Sequence, residues 1–176
     1  MIDSSPSLCK QTPLLLVVED SNEDFEALQR LVNRLPLVLP SERSPIIVPI
    51  KRCVNGNEAL AFLYRTGQYA GLESGSYPSL IILDLNLPGT DGRQILRQIK
   101  QDCHLKTIPV VIFTTSNNPK DINECYQYGA NSYIVKPIDF TRLKHDIQTI
   151  LDYWFAVTTL PNCLDEAGVR RAGEQG

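Results

Sequence analysis

Leu80-Ile-Ile-Leu-Asp-Leu-Asn-Leu-Pro-Gly89 places four uninterrupted aliphatic residues directly before a carboxylate, Asp84, and a Pro-Gly turn soon after it. A run this short and without alternation has no solvent face. It suits a strand covered on both sides, the condition of a parallel sheet between helices. Two other runs have the same form: Leu14-Leu-Leu-Val-Val18 ahead of Glu19-Asp20, and Val110-Val-Ile-Phe113 ahead of Thr114-Thr115-Ser116. Weaker strands are expected over residues 46–51 and 132–135.

Helical spacing separates these runs. Apolar residues recur at three and four through Phe25, Leu28, Leu31, Val32 and Leu35, through Ala59, Leu60, Leu63 and Tyr64, and through Ile95, Leu96 and Ile99. The longest such face is Phe140, Leu143, Ile147, Ile150, Leu151 and Trp154. Ser21 or Asn22, Asn55 with Glu58 three residues on, and Asp139 stand where N-caps belong. Five strands alternating with five helices predict an α/β fold with a doubly wound, five-stranded parallel sheet, whose right-handed crossovers bring every strand's C-terminal end to one edge. Ligands of open sheets sit at that edge. Glu19, Asp20, Asp84 and Thr114 therefore become neighbours in space.

Composition bounds the function. The 176 residues are 43% apolar and 21% charged, with 17 basic against 20 acidic side chains for a net charge of −3. One sizeable core is expected. No apolar run approaches the roughly 20 residues of a membrane span, and the Ser/Pro-rich start lacks the apolar stretch of a signal peptide, so a cytoplasmic protein is expected. Cys9, Cys53, Cys103, Cys125 and Cys163 are too widely spaced for a zinc knuckle and are read as reduced thiols. Without a Lys/Arg run, nucleic acid is not an expected ligand. Residues 36–49 and 66–78 read as surface excursions, and residues 1–12 and 158–176 as flexible ends around a domain spanning 13–157.

The strand-end residues carry chemistry. Like charges about 4 Å apart cost about 4 kcal/mol per pair at an effective dielectric of 20, so Glu19, Asp20 and Asp84 together must take up protons or recruit a cation. An all-oxygen site suits Mg²⁺ or Mn²⁺, whereas zinc would call for His or Cys. Lys136, just after the fifth strand and ahead of Pro137, and Thr114, ending the fourth, add an ammonium and a hydroxyl. These are the groups a transferred phosphoryl needs, and a central carboxylate can itself become the phosphorylated nucleophile.

This combination resembles the receiver domain of two-component response regulators: Glu19-Asp20 after strand one, Asp84 in LIILDLNLPGTDG, Thr114 in VVIFTTS and Lys136-Pro137, with 30 positions from Asp84 to Thr114 and 22 from Thr114 to Lys136. The resemblance implies a flavodoxin-like sheet in strand order 2-1-3-4-5. It implies Asp84 as phosphoacceptor, and Mg²⁺ held by Glu19, Asp20, Asp84 and the main-chain carbonyl of Asn86. Lys136 is then the partner of the phosphoryl group, Thr114 and Tyr133 are the switch residues, and the Lys136–Pro137 peptide is commonly cis. Thr115 departs from the family's usual Ala, Ser or Gly, and Asn86 and Ser116 occupy its variable positions.

The TGQYAGLESGSYP segment, the FTTSNN turn and the final Asp152-Tyr-Trp-Phe155 are similar to the stand-alone regulators that serve cyanobacterial phytochromes. This implies a sensor histidine kinase of phytochrome type as phosphodonor, slow self-dephosphorylation, and a signal passed by binding another protein or by handing the phosphoryl group on. Nothing in the residues after Phe155 fits an output domain. Trp154 and Phe155, past the expected end of the fold, suggest a homodimer. The alternative is a receiver-like adaptor without phosphoryl turnover. A calcium loop is excluded because Ile95 stands at its twelfth place. An aspartyl phosphohydrolase is disfavoured because Asn86 stands where its second Asp belongs.

Overall fold

The computed structural model describes residues 13–38, 45–72 and 77–161. Strands β1 (Leu15–Val18), β2 (Ile50–Cys53), β3 (Leu80–Leu83), β4 (Val110–Thr114) and β5 (Ser132–Val135) form one parallel sheet in the order β2-β1-β3-β4-β5. Helices α1 (Asn22–Arg34), α2 (Gly56–Leu63), α3 (Gly92–Gln101), α4 (Pro119–Gln127) and α5 (Phe140–Leu151) cover both faces.

The three continuous apolar runs are the three central strands, and every residue of β1, β3 and β4 is buried. Alternate residues feed two cores. Leu16, Val18, Ile81, Leu83, Val110 and Ile112 pack against α2, α3 and Cys125 of α4. Leu15, Val17, Leu80, Ile82, Val111 and Phe113 pack against α1 and α5. Burying each large aliphatic side chain contributes roughly 1.5–3 kcal/mol, so both faces of every central strand are committed. The weaker strands are the sheet's edges, where one neighbour is missing and burial is partial.

The caps form as the sequence suggests. Ser21 Oγ accepts from the Asp24 N–H and Asn55 Oδ1 from the Glu58 N–H, while Asp139 Oδ1 accepts from the Arg142 N–H. Three expectations are corrected. Strand β2 lies at Ile50–Cys53 instead of 46–51, because Pro49 interrupts the run and Ile46 instead makes an antiparallel bridge to Leu37. The 36–49 excursion is tethered, with Leu37 and Val48 buried in the α1–α5 core. Trp154 and Phe155 do not lie past the end of the fold: the chain continues past α5 in a wider helical turn, Asp152–Val157, which folds Phe155 into the same core with Trp154 partly covered beside it.

Helix α4 had no apolar periodicity to announce it. Among its residues only Cys125 is buried, and Pro119 at its first turn with Asn118 as cap starts it instead. In the 66–78 excursion, Tyr69 packs on the α2 core and accepts at its hydroxyl from Lys51 Nζ. Residues 1–12 and 162–176, and with them Cys9 and Cys163, lie outside the described residues; Cys53, Cys103 and Cys125 are free thiols. Among the described residues no helix is long and apolar enough to cross a membrane.

Candidate functional site

Parallel pairing aligns the strand ends. Val18 stands opposite both Cys53 and Leu83, and Thr114 opposite Val135, so the residues that follow each strand meet at one edge. There Glu19, Asp20 and Asp84 each offer an oxygen within 4.8 Å of the others. Glu19 and Asp84 are buried, and Asp20 is exposed.

Lys136 is delivered to this corner by β5. Its N–H donates to the Thr114 carbonyl at 2.7 Å, and its Nζ donates to Glu19 Oε2 at 2.6 Å, Asp24 Oδ2 at 2.7 Å and Asp84 Oδ2 at 2.8 Å. Burial alone would lower the Lys136 pKa, but the hydrogen bonds to Asp24, Asp84 and Glu19 outweigh it and hold the ammonium above its ordinary range. The Glu19 carboxyl moves upward from its ordinary value. Burial is the main cause, only partly offset by Lys136 and reinforced by the Asp84 charge. The Lys136–Pro137 peptide is trans, as are all the described peptides, so the cis form implied by the resemblance is not present; trans is the favoured isomer of an ordinary X–Pro bond.

Thr114 is fully buried at the end of β4. Its Oγ1 accepts from Asn86 Nδ2 and from the Ser116 N–H, both at 3.4 Å, while Asn86 Nδ2 also donates to Thr115 Oγ1 at 3.3 Å. The Asn86 N–H donates to Asp84 Oδ1 at 3.1 Å, which fixes that carboxylate's rotation. Tyr133, on β5, packs on the α2–α3 core, and its hydroxyl donates to the Ser116 carbonyl. Glu19, Asp20, Asp84, Asn86, Thr114 and Lys136 thus meet at one sheet edge, and the Tyr133 hydroxyl reaches the loop beside it.

Sequence reading missed three contributors. Asp24 is the third carboxylate on Lys136. Arg52 of β2 donates to the carbonyls of Glu19 at 3.0 Å and Asp20 at 2.9 Å and to Asn22 Oδ1 at 2.8 Å, with its guanidinium 4.6 Å from the centre of the Phe25 ring. Placing β2 correctly would have put Arg52 opposite Val17, two residues before Glu19. Arg93, at the start of α3, joins Asp91 to Asp121 and Glu124 of α4, and Asp121 also accepts from Ser116 Oγ at 2.7 Å. These charges are distant in sequence, and nothing local marks them.

The arrangement has counterparts. A family model described as the response regulator receiver domain matches residues 49–148. Response regulator Rcp1 of Synechocystis sp. is 38% identical over 148 residues, which is 84% of this chain and 92% of that protein. The structure of the phosphorylated cyanobacterial phytochrome response regulator RcpA matches with a TM-score of 0.75 at 35% identity, covering 85% of this chain and 99% of its own. The Mn²⁺-bound form of Rcp1 matches with a TM-score of 0.74 at 36% identity over the same shares. With strand order, acidic corner and these likenesses in agreement over most of its length, the chain belongs to the response regulator receiver domain family and is related to the cyanobacterial phytochrome response regulators.

Proposed function

We propose that this chain is a response regulator receiver whose Asp84 accepts a phosphoryl group from a phosphohistidine of a sensor histidine kinase, of phytochrome type by the character of its relatives. The observation that supports this best is the Lys136 ammonium, 2.8 Å from Asp84 Oδ2 in a corner of buried carboxylates. An Asp84 oxygen attacks phosphorus, an O–P bond forms as the P–N bond to the donor imidazole breaks, and the imidazole nitrogen keeps that electron pair.

Glu19, Asp20 and Asp84 fit a divalent cation, being all-oxygen donors whose mutual repulsion such an ion lowers; with the Asn86 carbonyl they are the residues we assign to Mg²⁺ or Mn²⁺. When bound, such an ion neutralises the charge of the phosphoryl oxygens. Lys136 supplies a fixed positive charge beside the acceptor, and its bond to Asp84 is exchanged for one to the phosphoryl group. Thr114 turns its hydroxyl toward that group, and Tyr133 follows inward as the β4–α4 loop moves. Asn86 and Thr115, bonded across the mouth of the site, restrict water and make hydrolysis slow.

We assign this activity to residues 13–157 of a cytoplasmic phosphoacceptor, not an enzyme acting on external substrate, that binds neither membrane nor nucleic acid. It signals through a protein partner or a phosphorelay. A homodimer through the turn that follows α5 is supported by exposed Tyr153 and Val157. Light scattering tests it, and a monomeric mass for the intact chain would remove it.

The phosphoacceptor claim is tested by the intact mass after incubation with acetyl phosphate, with and without Mg²⁺, beside Asp84→Asn. One phosphoryl adduct that requires both Mg²⁺ and Asp84 is expected. No adduct on folded protein would leave an adaptor without phosphoryl turnover.

A further inference from the structure

Lys136 has three N–H bonds to give, and three carboxylates take them. Two of the three, Glu19 and Asp84, belong to the acidic cluster. The third, Asp24, does not. It sits in the first turn of α1 with its side chain 44% exposed, yet its carboxylate reaches the ammonium at 2.7 Å, between the 2.6 Å of buried Glu19 and the 2.8 Å of buried Asp84.

An acidic residue in the first turn of a helix is ordinarily explained by the helix dipole. Glu23, in the same turn, meets that description, and among the described residues it has no bond to Lys136. Asp24 does more. A divalent cation drawn to Glu19, Asp20 and Asp84 has to share two of those carboxylates with an ammonium, and the two cations repel at short range. An ammonium held only by shared carboxylates would be displaced or would weaken the ion. A carboxylate bonded to the ammonium alone removes that conflict.

We propose that Asp24 is a positioning residue: its carboxylate, outside the metal-ligating set, holds the Lys136 ammonium beside Asp84 against the charge of the divalent ion, so that both cations occupy the acidic corner together. The inference rests on the phosphoacceptor reading above and adds to it a residue that serves Lys136 without touching the metal or the phosphoryl group.

The test is Mn²⁺ binding to the full chain, with free Mn²⁺ followed by its electron paramagnetic resonance signal. Asp24→Asn and Glu23→Gln are each measured in the wild type and in a Lys136→Met background, with circular dichroism confirming that each variant is folded. Asp24→Asn is expected to weaken Mn²⁺ binding about fivefold in the wild type, and in Lys136→Met by no more than Glu23→Gln does, because coupled residues give non-additive effects. An equal loss in both backgrounds would make Asp24 a plain charge or a direct ligand and overturn the positioning role. So would a wild-type loss no greater than that of Glu23→Gln. Failure of the underlying reading looks different: the wild type itself would bind no Mn²⁺, or Asp84→Asn would bind it unchanged, and the positioning role would fall with it.

Discussion

The hydroxyl of Tyr133 donates to the main-chain carbonyl of Ser116 at 3.0 Å, joining the outer strand β5 to the loop that leaves Thr114. Burial raises the Tyr133 pKa, and the bond to Ser116 opposes it. The phenol is thus a neutral donor that holds the loop in its present position. Tyr133→Phe is expected to lower stability by about 1 kcal/mol, the net value of one such bond. A lower urea midpoint at constant m-value would show this. An unchanged midpoint would mean that water replaces the phenol without loss and that the bond does not hold the loop.

Arg52 fixes the backbone that presents the acidic pair through its fork on the Glu19 and Asp20 carbonyls. A lysine there keeps the charge and loses the fork. Arg52→Lys and Arg52→Ala are therefore both expected to slow phosphorylation by acetyl phosphate roughly tenfold, since small misplacements of reacting groups carry penalties of this order or more. Time courses of the phosphoryl adduct by mass spectrometry would decide it. Full rate in Arg52→Lys would show that charge alone matters.

Gly92 lies against the phosphoacceptor's own backbone. A Cβ there would stand 2.4 Å from the Asp84 carbonyl oxygen and 2.6 Å from Leu85 Cα. At Gly56 the nearest atoms are the tip of Ile95, at 2.6 Å, which can turn aside. Gly92→Ala is expected to cost about 3 kcal/mol and Gly56→Ala nearer 1, the span of overpacking penalties. Denaturant melts would check the order, and equal costs would show that the Asp84–Leu85 backbone yields as easily as a side chain.

Two buried thiols make the fold sensitive to alkali. Burial pushes Cys53 up to about 12 and Cys125 up to about 11, from an ordinary 9.0. Above pH 9 the unfolded chain releases these protons while the native chain keeps them. The unfolded state then binds fewer protons, and stability falls as pH rises. Each thiol contributes a slope approaching about 1.4 kcal/mol per pH unit in that window. Urea melts of wild type and Cys125→Ala between pH 8 and 10.5 should show a shallower decline in the variant. Identical slopes would mean that Cys125 ionises in the fold as it does in water.

The central strands and the residues after them were legible in sequence because the pattern is local. A continuous apolar run buried on both faces needs no partner to be recognised, and Asp84 and Thr114 follow directly from where such runs stop. The edges were less legible. Ile50–Cys53 is a strand because β1 pairs with it, and only the break at Pro49 hints at its start. Helix α4 buries too little to leave an apolar period. Tertiary structure alone decided that Phe155 is core, that Arg52 clamps the acidic loop and that Asp24 shares Lys136. Each of these rests on an interaction between segments far apart in the chain. Local periodicity records which face of an element is buried, whereas a hydrogen bond between two distant side chains exists only once the sheet has set their separation.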